Sequence, residues 1–136
     1  MRATATFTVE AFTPLDVTID GAPETATPVG VSQINKRYDG EVSGTSTTVF
    51  TYARNPETGA GAYVAMESFE GSLHDRAGTF NFMHSATTTG EDRANEFFLI
   101  APASGTGDLA GIEGTGGITI DADGTHHMWF DYEFSA

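Results

Sequence analysis

Chemistry in this sequence must come from its histidines and from the few carboxylates that share a strand face with aromatic residues. In AGTFNFMHSA (77–86), Phe80, Phe82 and His84 alternate with Asn81, Met83 and Ser85, so His84 belongs to the aromatic face. In AYVAMESFEG (62–71), Glu67 falls in step with Tyr63 and Phe69. A glutamate and an imidazole in a dry cavity could act as general acid and base, because burial raises a carboxylate pKa and imidazole titrates near neutrality. Glu67 and His84 are therefore the candidate catalytic residues. The alternative is structural: Glu67 accepts hydrogen bonds from His84 or a tyrosine, as a buried carboxylate must.

The closing run THHMWFDYEF (125–134) alternates in the same way. His126, Met128, Phe130, Tyr132 and Phe134 read as interior, and His127, Trp129, Asp131 and Glu133 as exterior. Tyr63, Phe80, Phe82, Phe130 and Tyr132 are thus expected to line a ligand cavity, with Glu67 and His84 as its polar handles. Trp129, on an outer face beside two acids, is a candidate subunit contact. Metal binding has little support. Adjacent His126 and His127 point to opposite faces, His74–Asp75 lacks a spaced third ligand, and DADGT (121–125) reads as a hairpin turn and not a calcium loop. No metal or cofactor is expected. Ser104, in SGTG, lacks the strand-to-helix elbow of a hydrolase nucleophile, and the absence of cysteine excludes thiolate chemistry.

The elements that must position these residues are strands. ATATFTVEAF (3–12) alternates apolar and polar residues, threonine is abundant, and turn signals recur at short intervals. Strands are predicted near 3–12, 31–39, 42–53, 61–71, 78–88, 94–101, 117–121 and 125–134, with a short extra one at 15–19. About eight antiparallel strands must close their edges or split into two sheets. The glycine-rich stretch PASGTGDLAGIEGTGG (102–117) has neither the Lys-Ser/Thr pair nor the following helix of a phosphate loop. It reads as a compact turn anchored by Leu109 and Ile112.

Bulk properties narrow the partners. One domain over residues 1–136 carries 15 aromatic residues (10 Phe, 4 Tyr, 1 Trp), enough for a core. A net charge of -13 opposes binding to nucleic acid or an anionic membrane surface. No apolar run approaches the roughly 20 residues of a membrane span, and a cytoplasmic location is expected.

The motif order resembles a bacterial family known as domain of unknown function 3224. The matching segments are KRYDGEVSG (36–44), AYVAMESFEGSL (62–73), AGTFNFMHSATTTG (77–90), PASGTGDLAGIEGTGGI (102–118) and YEF (132–134). The resemblance implies an all-β fold, a single closed antiparallel barrel of about eight strands that is allene oxide cyclase-like, or calycin-like. It implies no reaction. His74–Asp75 departs from the glycine-rich turn of relatives. The expected function is binding of a small, largely apolar molecule inside the barrel. The alternatives are an isomerase or cyclase of a small hydrophobic substrate, and a filled barrel with a structural or interaction role. Self-association as a homo-oligomer, dimer or trimer, is expected.

Overall fold

The structure is a computed structural model and describes residues 1–135. Eight strands follow one another: β1 (Arg2–Leu15), β2 (Val29–Gly40), β3 (Val42–Arg54), β4 (Gly61–Leu73), β5 (Arg76–Thr88), β6 (Ala94–Ile100), β7 (Ile112–Ile120) and β8 (His126–Phe134). Each pairs antiparallel with the next, and β8 pairs back to β1 from Arg2↔Asp131 to Phe7↔His126, so the sheet closes into a ring. Beyond Phe7, β1 pairs with β2 alone, so its far half keeps one free edge. The thinnest seam is β6–β7, joined in register only at Leu99↔Thr115.

Alternation decides which side chains enter the ring. Phe69, Phe80, Phe82 and Phe130 are almost wholly buried and fill its middle. Phe130 meets Phe80 and Phe82 edge-on, with ring centroids 5.2 and 5.0 Å apart. Such tilted pairs each add about 0.5–1.5 kcal/mol beyond the burial of their area. In β1 the register slips between Val9 and Ala11, a bulge that leaves Glu10 unpaired and bends the strand.

The two ends of the ring differ. At one end the connections β2–β3 and β4–β5 are tight, and residues 101–111 cover the opening. Leu109, in a short 3-10 turn (Gly107–Leu109), is completely buried. Ser104 Oγ donates to the Ala101 carbonyl at 2.7 Å and accepts the Asn81 N–H at 3.0 Å, so this serine ties the segment down. The segment lies so close to β5 that a Cβ on Gly78 would stand 2.0 Å from the Thr106 carbonyl oxygen. At the opposite end, longer connections leave the ring open.

The glycine-rich stretch differs from its sequence-based reading. Only residues up to 111 form the compact turn, and β7 begins at Ile112 rather than 117. Its glycines admit a neighbour's bulk: Trp129 lies across Gly117, where a Cβ would come 2.3 Å from the indole Cζ2. The short strand expected at 15–19 is absent. β1 runs on to Leu15, and Val17 and Ile19 are exposed because no neighbouring strand covers them.

Gly117→Ala should therefore push the indole off the sheet and cost about 1–3 kcal/mol. Urea denaturation and the Trp129 emission maximum test this together. Unchanged stability with an unchanged emission spectrum would show that the ring does not rest on the strand.

Candidate functional site

Glu67 is fully buried in β4, and four neighbours on three other strands satisfy its carboxylate. The Lys36 ammonium donates to Oε2 at 3.0 Å, and His84 Nε2 lies 2.9 Å from the same oxygen. Ser46 donates to Oε1 at 2.5 Å, and the Tyr38 hydroxyl donates to it as well. Strand register makes the cluster possible. Glu67 stands opposite Thr48 on β3 and Phe82 on β5, which places Ser46 and His84 on adjacent rungs of the same inner face.

Burial alone would raise the Glu67 pKa, but the His84 hydrogen bond, the Lys36 charge and the Ser46 hydroxyl outweigh it and hold it at about 2. Burial moves His84 the other way from its usual value: loss of water lowers its pKa, only partly opposed by Glu67. At neutral pH the pair is thus an ionised carboxylate and a neutral imidazole. Burial, with the nearby Glu67 charge, also holds the Tyr38 phenol well above its ordinary range, so it stays a donor.

These states set the direction of a longer chain. With Glu67 ionised, His84 Nε2–H donates inward, leaving Nδ1 to accept. The Tyr63 hydroxyl lies 2.8 Å from Nδ1 and donates to it, and Tyr63 in turn accepts from Arg93 at 2.6 Å. Arg93 also bonds Glu96 through Nε at 2.5 Å. A line of hydrogen bonds therefore runs from the buried carboxylate to the open end.

At that end lies a pocket of about 520 Å³. Phe12, Phe50, Tyr52, Tyr63, Ala86 and Ile120 supply its apolar wall, and Arg54 and Arg93 stand on its lining. Phe50 and Tyr63 stack at 5.0 Å with planes 26° apart. Ser32 and Thr48, inward on β2 and β3, are buried with hydroxyls that have no hydrogen-bond partner among the described residues. Each costs about 1–3 kcal/mol unless an ordered water reaches it.

Of the residues expected at the site, Tyr63, His84 and Glu67 stand in hydrogen-bonded sequence, but only Tyr63 lines the pocket. Phe80, Phe82 and Phe130 do not. They pack on one another in the filled middle, because the ring there is no wider than its own aromatic side chains. Tyr132 lies toward the covered end, its hydroxyl 2.5 Å from His74 Nδ1, and so takes no part in the pocket. His74, at positive φ in the β4–β5 turn, also faces Glu41 at 3.4 Å. His127 pairs with exposed Asp121 at 2.7 Å, and His126 packs on Phe7. Among the described residues no three His, Asp or Glu side chains are grouped to hold a metal.

Lys36, Tyr38, Ser46 and Arg93 were not anticipated. Lys36 carried a signal: it is the sole lysine, in step with Ile34 and Tyr38 on an alternating strand. Arg93 carried none, since it lies in the β5–β6 connection, where periodicity says nothing.

Fold and site together define a class: an all-β protein with a ring of eight antiparallel strands, a filled middle, one covered end and one open, aromatic-walled end. The model of the family Protein of unknown function (DUF3224) matches residues 3–132, and the chain belongs to that family. The crystal structure of a DUF3224-family protein of unknown function from Shewanella oneidensis MR-1 superposes with a TM-score of 0.85 at 29% identity. That match covers 100% of this chain and 98% of the other. No curated protein matches the sequence. Among the described residues no helix is long and apolar enough to cross a membrane.

Glu67→Gln should cost about 3–5 kcal/mol, because it leaves the Lys36 ammonium buried without its counter-charge; Lys36→Met in the same chain should recover part of that loss. The pH dependence has a definite sign. Glu67 is more acidic folded than unfolded, so its contribution is complete above about 4.5, the ordinary value, and is lost as pH falls toward about 2. Denaturant midpoints from pH 6 to pH 2 should fall less steeply for Glu67→Gln than for the natural chain. Parallel profiles would show that the carboxylate is not held down.

Proposed function

We propose that this protein binds a small, largely apolar molecule in the pocket at the open end of the ring, with Tyr63 as its first polar contact. One observation carries the reading: the aromatic-walled pocket lies where the hydrogen-bond chain from Glu67 emerges. Apolar walls with a few fixed polar groups are the usual make-up of a ligand site, and a pocket of about 520 Å³ lies within the usual range of size. The closed meander of eight antiparallel strands supports describing the fold as a calycin-like barrel of the allene oxide cyclase type. The Glu67–His84–Tyr63 chain supports an isomerase or cyclase only as far as Tyr63 can exchange a proton with the bound molecule; His84 and Glu67 stand behind it.

Ala86 is buried and faces the pocket beside Tyr63. Ala86→Phe should fill the space and abolish binding, whereas Tyr63→Phe should weaken it and leave the wall intact. Native mass spectrometry of the purified protein should show a small-molecule mass that is lost on denaturation and absent from Ala86→Phe. A bare chain that also takes up no aromatic compound from a fragment set would sink the reading.

A second observation favours self-association. On the outer face, Val49, Met66, Met83 and Leu99 stand opposite one another on four successive strands. Val49 and Met66 are exposed, as are Val64 and Phe97 on the next rung. This uncharged apolar row supports contact with a second copy through β3–β6, whereas half-buried Trp129 already lies on Gly117 beneath the Arg2 guanidinium. Sedimentation should show an oligomer that Met66→Glu converts to monomer. A natural chain that sediments as a monomer at high concentration would exclude the contact.

A further inference from the structure

The geometry points to an anionic ligand: the open-end pocket takes a flat apolar carboxylate, its ring against Phe50, Tyr52 and Tyr63 and its carboxylate held by Arg54 and Arg93. This deepens the binding reading above and rests on it.

Cations are scarce, six Lys and Arg against nineteen Asp and Glu, so their placement carries information. Arg2, Lys36, Arg37 and Arg93 each pair with a carboxylate. Arg76 lies over the Phe134 ring at 4.3 Å. Arg54 has no carboxylate partner among the described residues, yet it lines the pocket. In so acidic a chain, a cation without an acid beside it at the mouth of an apolar pocket is ready to accept an anion from solution.

Arg93 completes the arrangement. Its Nε is committed to Glu96 and one terminal nitrogen to Tyr63, which leaves further N–H donors of its planar fork unspent. Tyr63 holds the group in place, with the guanidinium carbon 5.3 Å from the centre of its ring. The one acid on the pocket lining is Asp92, whose Oδ1 already accepts from Thr88 and from the Thr89 amide and hydroxyl. Those bonds hold Asp92 below its ordinary pKa. Asp92 keeps its charge and a free Oδ2, so the lining carries two cations against one anion, with Arg54 the cation that no carboxylate pairs among the described residues.

Tyr63 leaves the polar end of the ligand to the arginines. Its proton is donated to His84 Nδ1, so its oxygen offers the pocket a lone pair and no donor. The arginines then supply the hydrogen bonds to any acceptor on the ligand, and a carboxylate uses them better than a neutral hydroxyl does, because charge-assisted bonds are the stronger ones.

Matched probes test the inference with the intact protein. Naphthoate and naphthylmethanol, and benzoate with benzyl alcohol, share a ring system and differ in charge. Titration calorimetry at low ionic strength should show each acid binding about tenfold or more tightly than its alcohol, the advantage shrinking as salt is added. Arg54→Gln, at an exposed position, should remove most of that advantage without altering the denaturation midpoint; Arg93→Gln should also reduce it, with a lower midpoint because Arg93 holds Glu96 and Tyr63 as well. Equal affinity of acid and alcohol, with binding abolished in Ala86→Phe, would overturn the anionic preference and leave the pocket standing. Failure of all four probes to bind would overturn both readings. An acid preference that survives in both arginine variants would also overturn it, since the charge recognition would then lie elsewhere.

Discussion

A carboxylate taken out of water costs several kcal/mol unless its oxygens are met by charge and hydrogen bonds. Glu67 has that cost met by Lys36, Tyr38, Ser46 and His84, contributed by β2, β3 and β5 around its own β4. Four consecutive strands are thus keyed to one side chain. A slip of one residue on any of them turns its partner to the outer face, because side chains alternate with period two. The apolar residues of these strands would tolerate some repacking, but the carboxylate does not. The cluster therefore selects the register of half the ring, while at the β6–β7 seam the Phe98 ring lies against Gly116.

The same cluster divides the interior. Toward the covered end the ring is filled by phenylalanines and closed by Leu109. Toward the other end the polar chain passes through His84 and Tyr63, and the small side chain of Ala86, opposite Tyr63, leaves space on the pocket lining. The volume available to a guest is therefore at the mouth. A guest there meets Tyr63 and the arginines directly and feels Glu67 only through two intervening side chains.

Charge completes the picture. Most of the nineteen acids face solvent and keep the surface hydrated. Against that background the few cations are placed one by one: Lys36 in the core, Arg2 over Trp129, and Arg54 and Arg93 at the mouth. Two arginines at one mouth, beside Asp92 and Glu96, are a local feature that net charge conceals.

Local pattern was enough for the strands that carry alternation. Phe80, Phe82 and His84 on β5, and Met128, Phe130 and Tyr132 on β8, point inward as their spacing requires. The start of β7 was not legible, since its glycines carry no side chains to alternate; their role depends on Trp129, twelve residues beyond Gly117. Glu67 and His84 could be placed on inner faces from sequence because each sits among aromatics. Which partners they meet depends on how four strands align. Lys36 and Ser46 come to one carboxylate from residues 31 and 21 positions away, a relation between strands that no single strand's period contains. The sequence by itself determined that strands would form and which face of each is apolar, because that follows from side-chain polarity and period two. Only the tertiary structure decided that the middle is filled and one end open, because free volume depends on how side chains from all eight strands interlock.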